Sequence, residues 1–138
     1  MKTEFYVEAQ LARFRDGDED GAFHALRDLP DIVAILTNEF RVETDALTKA
    51  FLVRVLWESR DPAVLPVLSD ALADHSSKVW NEALNGLVTL ASDESLDVLR
   101  RAHSHPAHNR QAQVVFPSRV HEAIEQVEEV LRKPNANE

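Results

Sequence analysis

Apolar residues recur along the chain at helical rather than strand spacing, and alternating β-branched runs are absent. The first predicted helix, about 4–14, places Phe5, Ala9, Leu11 and Ala12 near one stripe. The turn RDGDEDG follows, and Asp18 or Asp20 is expected to cap a second helix carrying Phe23, Leu26 and Leu29. Pro30 suits the first turn of a third helix with Ile32, Ile35, Leu36 and Phe40 inward. Thr44 or Asp45 then caps a longer helix to about Ser59, whose middle, AFLVRVLWE, is apolar nearly all round. Only Arg54 and Glu58 interrupt it, at a spacing that lets them pair. A helix of that composition is expected to be surrounded by others.

The second half repeats the pattern. Asp61-Pro62 is a cap followed by proline, opening a helix over 63–74 with Val64, Leu65, Leu68 and Leu72 inward. Ser76 or Ser77 starts a helix bearing Val79, Ala83, Leu84, Leu87 and Leu90. Ser92 or Asp93 caps one bearing Leu96, Val98 and Leu99. Between His103 and Phe116 the periodicity fails and a loop is predicted. Pro117-Ser118 opens the last helix, with Val120, Ala123, Ile124, Val127 and Leu131. The pattern predicts a single domain over 1–133 with a frayed tail at 134–138.

Superposing the two halves uncovers an internal repeat. Leu36 falls on Leu68 and Ala50 on Ala83, offsets of 32 and 33 residues. Leu65 falls on Leu96 and Leu68 on Leu99, an offset of 31. Ala83 reaches Ala123 only after 40, which makes the stretch near His103 an insertion. Each copy is a helical hairpin, and a small alanine at the equivalent place lets paired helices approach closely.

The stretch AVLPVLSDALADHSSKVWNEALNGLVTLA carries Leu65, Leu68, Leu72 and Asp74, then Val79, Ala83 and Leu87. In that order these residues resemble a HEAT repeat, with Trp80 standing where the pattern usually has arginine. The likeness is closest over 61–91, weaker over 31–60 and 92–131, and faint over 4–29. It implies an all-α fold: a short right-handed α-solenoid of about four HEAT-like hairpins, seven or eight helices in total. It also implies a protein-binding function along a concave face lined by the second helix of each hairpin.

On the middle second helix, Asn81, Asn85 and Thr89 form a polar line, with Trp80 beside it. Shifting back by one repeat gives Thr48, Leu52 and Leu56, and shifting forward gives His121, Glu125 and Glu129. These rows are expected to lie side by side as one ridge, with Glu122 and Glu128 adding to its acidic end. Trp80 is expected at a part-exposed position, either anchoring a partner or packing on the next repeat. Trp57, on the all-apolar helix, is expected in the core.

Charge narrows the partner. With 15 Lys+Arg against 24 Asp+Glu, the formal net charge is -9. That argues against nucleic acid and anionic membrane and leaves a basic protein as the expected partner. No apolar run approaches the roughly 18 residues a membrane span needs, and the start, MKTEFYVEAQ, lacks a leader's apolar stretch, so a cytoplasmic location is expected. Cysteine is absent, which excludes disulfides, thiol catalysis and thiolate metal sites.

Catalytic signals are sparse. There is no Gly-x-Ser-x-Gly elbow and no glycine-rich phosphate loop. Asp16, Asp18, Asp20 and Gly21 follow the order of a calcium-loop start, but the twelfth position, where a bidentate carboxylate is required, is Arg27. His103, His105 and His108 are spaced as weak candidates for zinc or nickel. The pair His121-Glu122 is similar to those of HEAT-like di-iron hydroxylases, which need several such pairs where this chain has one. No cofactor and no enzymatic activity are expected. The leading expectation is a binding module, most concretely a bacterial immunity protein that occludes a basic toxin such as a nuclease. The alternatives are a metal sensor or metal-dependent enzyme using the histidines, and a scaffold or regulatory HEAT subunit of a larger complex.

Overall fold

The computed structural model describes residues 2–104 and 112–133. Among them the chain forms eight α-helices and one short 3-10 turn, with no strand. The helices pair in chain order: α1 (Lys2–Arg15) with α2 (Glu19–Arg27), α3 (Ile32–Val42) with α4 (Ala46–Glu58), α5 (Leu65–Leu72) with α6 (Ser77–Leu90), and α7 (Asp93–Ser104) with α8 (Ala112–Arg132). The second helices also stack on one another, α4 on α6 and α6 on α8, while α5 stacks on α7. The expected four-hairpin α-solenoid is therefore the observed architecture.

Short polar side chains set most helix starts. Asp18 accepts from the Gly21 N–H at 3.0 Å, Asp45 from Thr48 at 2.9 Å, and Asp61 from Ala63 at 2.9 Å. Ser76 accepts from Lys78 at 3.3 Å and Ser92 from Ser95 at 3.0 Å. Each satisfies a backbone donor that the first helical turn leaves free. Hydrogen bonds from Arg13 and from the Gly21 N–H hold the Asp18 carboxyl below the usual carboxylate range. The Thr48 hydroxyl and N–H do the same for Asp45.

The joins between hairpins share a backbone signature. Asp31, Arg60 and Ala91 all have positive φ, at 54°, 58° and 45°. Each sits immediately between one hairpin and the next. Pro30 therefore does not open the third helix, as its ring and missing N–H suggested. The chain makes this left-handed step first, and the helix begins at Ile32.

One apolar core runs through the stack. Leu36, Leu52, Leu56, Leu68, Leu87 and Leu99 are completely buried. Phe14 stacks on Phe51 with ring centres 4.1 Å apart, tying the first hairpin to α4. Arg54 pairs with Glu58 at 2.9 Å, as its spacing predicted, and with Glu19 of α2 at 3.1 Å. The Glu58 hydrogen bond raises the Arg54 pKa further, fixing its charge. Lys49 of α4 pairs with Asp74 in the turn between α5 and α6 while lying over the Phe40 ring. Glu39 is the contrary case: burial, and then the facing Glu8 carboxyl, push its pKa up.

Three expectations are corrected. In α1 the buried residues are Val7, Gln10 and Leu11, whereas Phe5 is 78% exposed and Ala9 and Ala12 face outward. Phe5 and Leu11 lie about 120° apart around a helix of 3.6 residues per turn, too far to share a stripe. Of the 103–116 stretch assigned to a loop, residues 103–104 complete α7 and α8 already begins at Ala112, with Pro117 inside α8 rather than at its start. Phe116, placed in that loop, is a core residue whose ring meets Trp80 edge-on at 5.2 Å. Trp80 itself is 3% exposed, so it packs against the neighbouring repeat and offers no surface to a partner. Residues 134–138, the predicted tail, lie outside the described residues.

Candidate protein-binding groove

Successive second helices of the stack leave a groove between α6 and α8 of about 470 Å³. Its α6 wall carries Asn81, Asn85 and Thr89, the polar line read from the sequence. Leu84, Val88 and Ala123 form an apolar floor. The α8 wall carries Arg119, Glu122 and Gln126. At one end the groove reaches Trp57 of α4.

Trp57 reaches it because α6 has glycine opposite. A Cβ on Gly86 would lie 2.6 Å from Trp57 Cγ and 2.8 Å from its Cβ and Cδ1. No methyl fits there, so the indole rests directly on the α6 backbone. Its Nε1 donates to Glu82 Oε1 at 2.9 Å, fixing the ring's orientation. Trp57 is thus partly buried at the groove's edge and not in the core as expected. The two tryptophans have exchanged the environments that the sequence suggested.

The predicted ridge is reproduced only in its middle row. Thr48, Leu52 and Leu56 are completely buried beneath α6, so the supposed apolar end of the ridge belongs to the core. His121, Glu125 and Glu129 lie on α8 but face away from the groove. Their side chains are 62%, 64% and 65% exposed, and each has a partner four residues away along the chain. His121 meets Glu125 at 3.2 Å, and Glu129 meets Lys133 at 3.4 Å. Glu128 is held by Arg100 at 2.8 Å, leaving Glu122 as the one predicted acid in the groove.

The geometry of a stack explains the offset. Translating a residue by one repeat yields a residue pointing the same way, while a groove is lined by opposite flanks of two neighbours. Asn81, Asn85 and Thr89 lie on the α6 flank turned toward α8. Their equivalents on α8 lie on its far flank. The α8 residues that face back are Arg119, Glu122 and Gln126, and their own equivalents on α6 include Glu82 and Gly86, which face Trp57 of α4. Arg119 and Gln126 were legible in principle, since they flank the predicted core position Ala123 at helical spacing.

For metal binding the outcome is narrower than the sequence allowed. His105 and His108 lie outside the described residues. His103, at the end of α7, is exposed, with its ring centre 5.9 Å from that of His121. Among the described residues no group of three or more His, Asp or Glu side chains is arranged to hold a metal ion. No described helix is long and apolar enough to cross a membrane.

Paired helices stacked in register, with an open groove between second helices, define a short α-solenoid of the protein-interaction type. The HEAT-repeat profile matches residues 29–115, and the chain belongs to the HEAT-repeat family. HEAT repeats generally mediate protein–protein interaction, and the family is typically a non-catalytic scaffold. No curated protein and no solved structure matches the chain significantly.

Proposed function

We propose that the α6–α8 groove and the adjoining outer face of α8 form the docking surface for a basic protein. The most concrete form of the proposal is a bacterial immunity protein that occludes a cationic toxin such as a nuclease. The observation that carries it is a juxtaposition. The amides of Asn81, Asn85 and Gln126 line the groove, and Glu122, Glu125 and Glu129 stand exposed along the same α8 helix as Gln126. On a chain of net charge -9, this surface steers a cationic partner into contact. The rigid hairpins then hold it with little loss of backbone freedom.

The test is a low-salt pull-down on the immobilised full-length chain, with co-expression of any toxin-like gene found to adjoin its own, followed by association kinetics over a salt series. A one-to-one complex is expected, with toxin activity suppressed and an association rate that falls steeply with salt. Glu122→Lys with Glu125→Lys should slow association about tenfold while dissociation changes less. Absence of any complex with a basic protein, or association indifferent to both salt and charge reversal, counts against the proposal.

One observation favours a second reading, a metal sensor: the approach of His103 to His121. Metal analysis of untagged protein decides it. One tightly held equivalent, lost on His121→Ala, supports that reading, and metal-free protein removes it.

A further inference from the structure

Three polar side chains on α6 have a spacing that suits one kind of ligand. Asn81, Asn85 and Thr89 succeed one another every four residues, and four residues of α-helix advance about 6 Å. Two residues of an extended chain advance about 6.4–6.8 Å. A strand laid along α6 therefore presents the same edge of its backbone to each of the three in turn. Over the roughly 12 Å from Asn81 to Thr89 the mismatch stays within about 2 Å, which side-chain rotation absorbs.

The chemistry agrees with the spacing. A carboxamide donates and accepts at once, so a single Asn can meet both the N–H and the C=O of one peptide residue. A carboxylate or an ammonium can meet only one of them. Among the described residues the amides of Asn81, Asn85 and Gln126 have no side-chain hydrogen bond, and neither do Arg119 and Glu122. These last two stand three residues apart on α8, both lining the groove, without pairing to each other. Elsewhere arginine–carboxylate pairs are closed, at Arg13–Asp18, Arg15–Glu43, Arg54–Glu58 and Arg100–Glu128. The groove is thus equipped for main-chain hydrogen bonding along one wall and for charge along the other, over an apolar floor.

We infer that the groove binds an extended, unstructured polypeptide segment of about five residues, its backbone read by the Asn81 and Asn85 amides and by Thr89, whose hydroxyl donates to the Asn85 carbonyl at 2.7 Å and so serves the peptide as an acceptor. Alternate side chains of that segment point down to Leu84, Val88 and Ala123, and the intervening ones lie toward the rim, where Glu122 favours a basic residue. This rests on the protein-binding reading of the same groove and specifies its occupant: a flexible basic tail or loop of the partner, not a folded face.

The probe is a display library of random linear twelve-residue peptides, selected on the immobilised full-length chain. The strongest binder is then measured by fluorescence polarisation. Linear peptides with alternating apolar and basic residues are expected to be enriched. Asn81→Ala with Asn85→Ala should weaken binding at least tenfold with an unchanged melting temperature, since both positions reach solvent. N-methylation of alternate backbone nitrogens should weaken binding at least tenfold in one register and little in the other. That scan uses the unaltered protein, so it stands even if the double variant folds poorly. Failure to enrich any linear peptide, or equal binding by the double variant, overturns the inference. So does an N-methyl scan without alternation. A salt-dependent complex with a folded basic partner that persists through such a failure leaves the docking proposal intact.

Discussion

Gly86→Ala sets two effects of opposite sign against each other at one atom. Alanine is the better helix former, and in a helix interior the change alone stabilises by about 1 kcal/mol. Here the added methyl would stand 2.6–2.8 Å from three atoms of Trp57. All three lie at the root of the side chain, so no flexible tip can bend away. The indole must move as a body, or α4 and α6 must separate. Overpacking of this kind costs about 1–3 kcal/mol. Moving the ring also breaks the Nε1–Glu82 hydrogen bond, worth about 1 kcal/mol in this partly exposed setting. The net expectation is a loss of about 1–3 kcal/mol, or roughly 3–10 °C in melting temperature for a chain of this size. Urea denaturation monitored by far-ultraviolet circular dichroism gives the energy. Emission in a Trp80→Phe background, where Trp57 is the only indole, reports whether the ring swings toward water. A Gly86→Ala protein as stable as its parent, with Trp57 emission unmoved, would refute this close packing of indole on glycine.

Trp80→Ala should cost about 3–5 kcal/mol, because it empties a core site and strips Phe116 of its ring partner. Trp80→Phe should be far milder, and equal effects in denaturation would contradict core burial. Glu39→Gln should raise the melting temperature at about pH 7 and leave it nearly unchanged at about pH 3.5, judged against the parent in matched thermal scans. The sign comes from the raised pKa. The folded chain holds the Glu39 proton more tightly than the unfolded chain, so its contribution is favourable in acid and is lost as pH climbs through the folded value. Ser92→Ala removes a helix cap and also the partner of the buried Ser95 hydroxyl, 3.0 Å away, for a cost of about 1–3 kcal/mol. Adding Ser95→Ala should cost less than its effect alone, and strict additivity in a urea double-mutant cycle would exclude the coupling.

Local signals carried most of the fold. The caps at Asp18, Asp45, Asp61, Ser76 and Ser92 were legible because each pairs a short acceptor with the start of an apolar stripe. The repeat was legible because stacking demands the same small and large residues at the same places. The features that stayed hidden depend on relations between elements. The sequence AFLVRVLWE is apolar nearly all round, interrupted only by Arg54 and Glu58, so nothing in it marks Trp57 as the residue turned to the groove's edge. Trp80 was placed outward by the arginine that usually stands there, a substitution that in this chain accompanies Phe116 across the insertion. Asn81, Asn85 and Thr89, grouped by their spacing, do lie together along the groove, whereas the α8 row was reached by translation, which selects the far flank of a neighbouring helix.

The joints at Asp31, Arg60 and Ala91 fix more than the chain's direction. Each rotates the next hairpin by nearly the same backbone dihedral, so the array is modular in length: the hairpin after a joint need only begin as the previous one began. A second copy of residues 61–91 spliced after Ala91 should therefore extend the stack in the same direction, provided the first copy's Trp80, which would then face a helix lacking Phe116, is exchanged for a smaller residue. It would also open a second groove of the same amide-lined kind, turning a single short slot into a longer track. The left-handed residues, unfavourable by about 1–2 kcal/mol each as non-glycines, make that step definite rather than floppy.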